Sequence, residues 1–148
     1  MQLSEHFTLE ELTRSDVAMR RTIDNTPPAV IVANLQMLAA GLERVRSAIG
    51  NLAIHVNSGY RCPALNLAIG GAKDSAHMQG RAADIVCPEF GTPLQIAEAL
   101  IQQKLLIGFD QIIQEGDWLH VAFSDSPRFD VLTAHFGTGG AIYTRGLG

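Results

Sequence analysis

The sequence predicts an α+β fold, and three observations carry that prediction. An apolar stripe at helical spacing runs through residues 31–49, helices come first while short β-type runs gather in the second half, and those runs do not alternate with helices as βαβ units would. The 148 residues are 47% hydrophobic and 18% charged, which is one domain's worth of chain with enough apolar side chains for a core. A disordered polypeptide is excluded by that composition.

Each element has a local reason. Thr8-Leu9-Glu10-Glu11 has the Ser/Thr-x-x-Glu spacing of a capping box, so a short helix is expected from there to about residue 15. Pro27-Pro28 leads into Ile31, Leu35, Leu38, Leu42, Val45 and Ile49, whose steps of four and three keep one apolar face until Gly50 stops the helix. Residues 53–57 read as a strand ended by Ser58-Gly59, and Pro63 opens a helical turn that runs through Ile69 to Gly70-Gly71. Residues 82–86 form a second strand, closed by Cys87-Pro88. Thr92-Pro93-Leu94-Gln95 supplies an N-cap, an N1 proline and an N3 glutamine for a helix to about Lys104, burying Ile96, Leu100 and Ile101. Residues 110–114 and 118–123 are strands around Glu115-Gly116-Asp117, the pattern of a hairpin. Residues 129–134 add an edge strand, and residues 137–148, rich in glycine, are expected to be a loose tail. Residues 1–148 thus read as one domain, with a helical part over 1–50 and a core over 51–136 that carries the strands.

Charge and hydropathy narrow the partners. Eleven Lys and Arg stand against fifteen Asp and Glu with no basic block, so nucleic acid is not expected as a partner. No apolar run approaches the roughly 20 residues that a membrane span needs, and no membrane partner is expected. Met1-Gln2-Leu3-Ser4-Glu5-His6 lacks the basic-then-apolar layout of a secretion signal, so synthesis in the cytoplasm without a signal peptide is expected. Cys62 and Cys87 form no C-x-x-C pair, and in a reducing compartment both are read as buried thiols.

The chemistry gathers on the strands. Alternation puts Asp84 on a face with Ala82 and Val86, and His120 on a face with Trp118 and Ala122, so both polar groups point toward apolar neighbours. An isolated buried carboxylate is too costly to keep and needs a positive partner, which a metal ion supplies. His77 lies seven residues before Asp84, in a glycine- and serine-containing approach where a turn folds its imidazole back beside the carboxylate. Two neutral imidazoles and one carboxylate leave a zinc ion positively charged with a free fourth position, suited to activating water. Spacing alone does not separate this set from ordinary core or surface histidines, which is how His6, His55 and His135 are read.

The stretch Ser75-Ala76-His77-Met78-Gln79-Gly80-Arg81-Ala82-Ala83-Asp84 reads S-x-H-x-x-G-x-A-x-D. It resembles the zinc-binding signature of the D-Ala-D-Ala carboxypeptidase family of M15-type metallopeptidases, which includes phage cell-wall endopeptidases and vancomycin-resistance dipeptidases. Upstream, Ser58-Gly59-Tyr60-Arg61-Cys62-Pro63 resembles the S-G-Y-R-x-P segment that precedes the signature. Downstream, Asp117-Trp118-Leu119-His120 resembles the acid-x-x-His segment that closes the site. Thr26-Pro27-Pro28, Ala64-Leu65-Asn66 and Phe109-Asp110-Gln111-Ile112-Ile113 are similar to the small phage-type members, so the resemblance covers nearly the whole chain.

The resemblance implies a hedgehog/DD-peptidase-like fold, a small antiparallel sheet with helices packed on it and one zinc per chain held by His77, Asp84 and His120. It implies Asp117 as the general base that takes a proton from water and hands it to the leaving amine. Strict alternation sets Asp117 on the face opposite His120, so that role requires it to sit in the turn before the strand becomes regular, with Glu115 as the fallback. Arg61 is implied as the anion binder, Ser75 and Tyr60 as substrate contacts, and Gly80 as room for the turn between two ligands. The implied substrate is the stem peptide of bacterial peptidoglycan. A phage-type endolysin cutting internal bonds, released to the wall by a separate membrane-permeabilising protein, is the first reading. A D-Ala-D-Ala carboxypeptidase or dipeptidase is the second, and a non-catalytic zinc-containing wall-binding or virion protein is the third.

Overall fold

In the computed structural model, which describes residues 1–148, helix α1 (Leu9–Thr13) starts where the capping box puts it. The Thr8 side chain accepts from the Glu11 N–H while Glu11 reaches back to the Thr8 N–H. A second short helix, α2 (Asp16–Arg20), follows at once, capped by Ser15. Helix α2 is not expected from the sequence, because five residues carry too few apolar positions to show a period. Helix α3 (Ala29–Ala48) buries the anticipated stripe of Ile31, Leu35, Leu38, Leu42 and Val45. Each such side chain, fully buried, stabilises the fold by about 1.5–3 kcal/mol.

Strand β1 (His55–Ser58) precedes α4 (Pro63–Ala68), whose first turn is capped by the Cys62 sulfur accepting from the Leu65 N–H. Cys62 and Cys87 are buried free thiols. Strand β2 (Ala82–Val86) leads to α5 (Pro93–Gln102), which has the second capping box, from Thr92 and Gln95. The helix expected to reach Lys104 breaks at Gln103, and a separate turn, α6 (Lys104–Ile107), ends at Gly108. Strands β3 (Gln111–Gln114) and β4 (Leu119–Ala122) form the expected hairpin.

Strands β5 (Asp130–Gly137) and β6 (Gly140–Arg145) complete one sheet in the order β1-β2-β4-β3-β5-β6. Two expectations are corrected here. The sheet is mixed rather than antiparallel, because β5 runs parallel to β3. After β4 the chain turns around the Asp110 end of β3, where Asp110 accepts two bonds from the Arg128 guanidinium and the Asp110 carbonyl accepts the Asp130 N–H. The supposed loose tail contains β6, so β6 and not β5 is the edge strand. Glycines on both sides of Ala141-Ile142-Tyr143-Thr144 masked a short β-forming run.

The two faces of the sheet differ in chemistry. Ile85, Ile112, Leu119 and Val121 are fully buried in one core with the apolar faces of α3 and α5. Their neighbours in the pleat, Asp84, Ile113 and His120, line the opposite face.

Candidate metal centre

The register of β2 against β4 sets Asp84 directly opposite His120, which brings their side chains side by side on one face. His77 arrives from a 3-10 turn (Ala76–Gln79), where the Ser75 hydroxyl accepts the His77 N–H at 3.2 Å. Gly80 ends that turn at φ +67°, and a Cβ there would lie 2.9 Å from Ile31 Cγ2. Only glycine satisfies both conditions, so the turn returns the chain to β2 within four residues of Asp84.

His77 Nε2 and His120 Nδ1 each lie 3.2 Å from Asp84 Oδ1. His77 is 1% exposed, and Asp84 and His120 are 8% exposed. A zinc ion bound tetrahedrally at roughly 2.0–2.1 Å sets its ligand atoms about 3.3 Å apart, so these separations match one edge of that polyhedron. The donor chemistry fits as well. The Gly59 carbonyl accepts the His77 Nδ1–H at 2.7 Å, so the neutral ring turns its Nε2 lone pair toward the Asp84 carboxylate. Two acceptors facing each other repel unless a cation lies between them. Burial pushes the His77 pKa down against the pull of Asp84, which disfavours a proton in that place. Burial raises the Asp84 carboxyl, and the adjoining His77 and His120 rings outweigh it, holding the carboxyl well below the usual carboxylate range.

The cluster lies in a cleft of about 730 Å³. Arg61 lines it, with its Nε buried and without a hydrogen-bond partner. Burial lowers the Arg61 pKa and the charges of Asp84 and Glu115 oppose that shift, yet a guanidinium stays protonated at any physiological pH. Glu115 also lines the cleft, and its Oε1 accepts the Trp118 Nε1–H at 2.9 Å. Burial, then the nearby Asp84 charge, raises the Glu115 carboxyl above its ordinary value. Ser75 borders the cleft while shaping the His77 turn.

Two sequence assignments do not fit this geometry. Asp117 is exposed at the hairpin turn and is absent from the cleft wall, where Glu115 stands instead. The reason is that Gln111, Ile113 and Glu115 continue the alternation of β3 toward the cleft, whereas Asp117 falls in the turn beyond it. Tyr60 is 4% exposed and belongs to the core, not to the cleft. Tyr60 packs into the core while its neighbour Arg61 lines the cleft. Phe136 and Tyr143, to which no motif in the sequence points, also line the cleft.

A buried His-Asp-His set on the floor of an open cleft, beside a free guanidinium nitrogen and a carboxyl of raised pKa, defines a candidate metal-dependent hydrolytic centre. The sequence profile of the family described as Peptidase M15 matches residues 5–122, and the chain belongs to that family. It is also 37% identical over 125 residues to the zinc D-Ala-D-Ala carboxypeptidase of Streptomyces albus G. That match takes in 81% of this chain and 46% of the relative, so the chain spans less than half of the relative's length.

Proposed function

We propose that the chain is a zinc-dependent peptidase acting on stem peptides of bacterial peptidoglycan. The observation that carries this reading is the buried cluster of His77, Asp84 and His120 in the cleft, with Arg61 and Glu115 beside it. The name of the Streptomyces relative, a zinc D-Ala-D-Ala carboxypeptidase, supports both the metal and the substrate class.

Zinc held by His77, Asp84 and His120 would supply Lewis-acid polarisation and a lowered pKa for water. Glu115, rather than Asp117, takes the proton released as water adds to the scissile carbonyl carbon. It returns that proton to the amide nitrogen as the C–N bond breaks, leaving a carboxylic acid and an amine. Trp118 donates to Glu115 Oε1 and so fixes the carboxyl plane. Arg61, which lines the cleft, donates through its guanidinium to a carbonyl or carboxylate oxygen of the substrate.

The cleft extends to Gly71 and Ser75 on one side of the cluster and to Gln111, Phe136 and Tyr143 on the other. Room on both sides supports cleavage of an internal bond, and with it the endolysin reading, in which the protein reaches the wall on release from the cytoplasm. The Arg61 guanidinium on the cleft wall supports the second reading, in which it grips the free carboxylate of a terminal D-Ala.

The test is to incubate the protein with intact peptidoglycan, with and without chelator followed by zinc, and to identify the fragments by mass spectrometry. Internal stem-peptide cuts that vanish with chelator and return with zinc are expected. Release of terminal D-Ala alone would establish the carboxypeptidase, and the absence of any metal-dependent product would overturn the peptidase reading.

A further inference from the structure

The family match ends at residue 122, yet the β5–β6 hairpin beyond it adds two aromatic side chains to the cleft. Register explains how. Gln114 pairs with Thr133 in the parallel β3–β5 ladder, so Glu115 comes level with Ala134 one step on, and Ala134 pairs with Tyr143. Phe136 is two residues along β5 from Ala134 and therefore shares that face. Phe136 is 62% exposed and Tyr143 51%, an apolar surface that no other part of the fold covers. Burial raises the Tyr143 phenol and the Glu115 charge adds to that shift, which places the ring on the glutamate's side of the sheet.

We propose that Phe136 and Tyr143 form a specificity wall that seats the half of the substrate lying across the metal cluster from Arg61. This rests on the peptidase reading above. The sheet order sets β5 and β6 two and three strand spacings beyond β4, which carries His120, about 10 and 14 Å at 4.8 Å per spacing. An extended peptide covers those distances with roughly three to four residues at about 3.3 Å each. The wall therefore meets substrate residues about three to four positions from the scissile bond and leaves the nearer ones untouched. Its contacts are aromatic and largely uncharged, so it holds the aliphatic surface of the peptide rather than its ionic groups. A family core that hydrolyses a bond is joined in this way to a local element that measures how far the peptide continues.

The test compares two substrates, crosslinked stem-peptide dimers and the single stem pentapeptide, on the zinc-loaded full chain. Binding is followed in parallel by fluorescence of Trp118, the single tryptophan, which lines the same cleft. The unaltered protein is expected to show a KM about tenfold lower for the long substrate. Phe136→Ala and Tyr143→Ala should each erase most of that preference by raising KM for the dimer, with kcat and zinc content little changed. Tyr143→Phe should keep the preference, since the ring and not the hydroxyl makes the contact. Leu105→Ala, a still more exposed apolar position on α6, is the control and should change nothing. If the substitutions leave the length preference intact, or lower kcat on both substrates alike, the wall is refuted while the peptidase reading stands. If the unaltered protein neither binds nor cleaves either substrate, the peptidase reading fails and the wall falls with it.

Discussion

Replacing Glu115 by Gln should abolish most turnover while sparing metal and substrate binding. The carboxyl is half-buried, its pKa is raised by burial and by Asp84, and one oxygen is already engaged by Trp118 at 2.9 Å. The amide oxygen of the substituted side chain can accept the same Trp118 N–H, so the side chain should stay in place and only its ability to exchange a proton is lost. General acid–base catalysis contributes roughly 10²–10⁴-fold, so the barrier to turnover should rise by about 3–5 kcal/mol. KM should move little, because the substituted group does not carry substrate affinity. Asp117→Asn, at the exposed turn, should cost about twofold or less. The assay is fragment release from a defined stem peptide, measured by chromatography and mass spectrometry on proteins of matched zinc content. Full activity in Glu115→Gln together with loss in Asp117→Asn would refute the assignment and return the base to the hairpin turn.

Asp84→Asn removes the only anionic ligand of the cluster and should leave the purified protein without zinc after dialysis, as read by atomic emission, with its fold intact by circular dichroism. Gly80→Ala meets both a positive φ and Ile31 Cγ2 at 2.9 Å; about 1–3 kcal/mol of stability should be lost, checked by urea denaturation. Glu43 accepts from Ser4 Oγ, the His6 N–H and His6 Nδ1. Burial opposes the resulting shift, but these bonds hold its folded pKa below 4.5. Its stabilisation is therefore present above the unfolded pKa and is lost as pH falls through the lower folded one. Glu43→Gln should flatten that part of the acid unfolding curve, and an unchanged curve would exclude the link.

How much of this was legible depended on whether a feature repeats or is fixed by a short motif. The stripe from Ile31 to Ile49 repeats over five steps, and α3 follows it. The three metal-ligand candidates could be read because short motifs hold them, S-x-H-x-x-G-x-A-x-D for His77 and Asp84 and acid-x-x-His for His120, and the register sets Asp84 against His120. The base was harder to place. The acid-x-x-His resemblance points to Asp117, but the carboxyl in the cleft follows β3, whose own alternation runs through Gln111, Ile113 and Glu115. Tyr60 and Arg61 belong to one motif, and no motif states which of two neighbours faces the core. Strand β6 and its neighbour β5, which pairs in parallel with β3, depend on a chain reversal around Asp110 that has no local sequence period.

The tie between α1 and the segment after β1 bears on how this domain can be divided. The Leu12 carbonyl accepts the Tyr60 N–H at 2.7 Å, and a Cβ on Gly59 would collide with that same carbonyl oxygen. Gly59 in turn is the residue whose carbonyl fixes the ring of His77. The N-terminal helices are therefore not a detachable module laid over a self-sufficient sheet and cleft. Recombination that swaps residues 1–50 between relatives would transplant part of the metal centre's orientation with them, so viable chimaeras should keep the α1–Gly59 contact from a single parent.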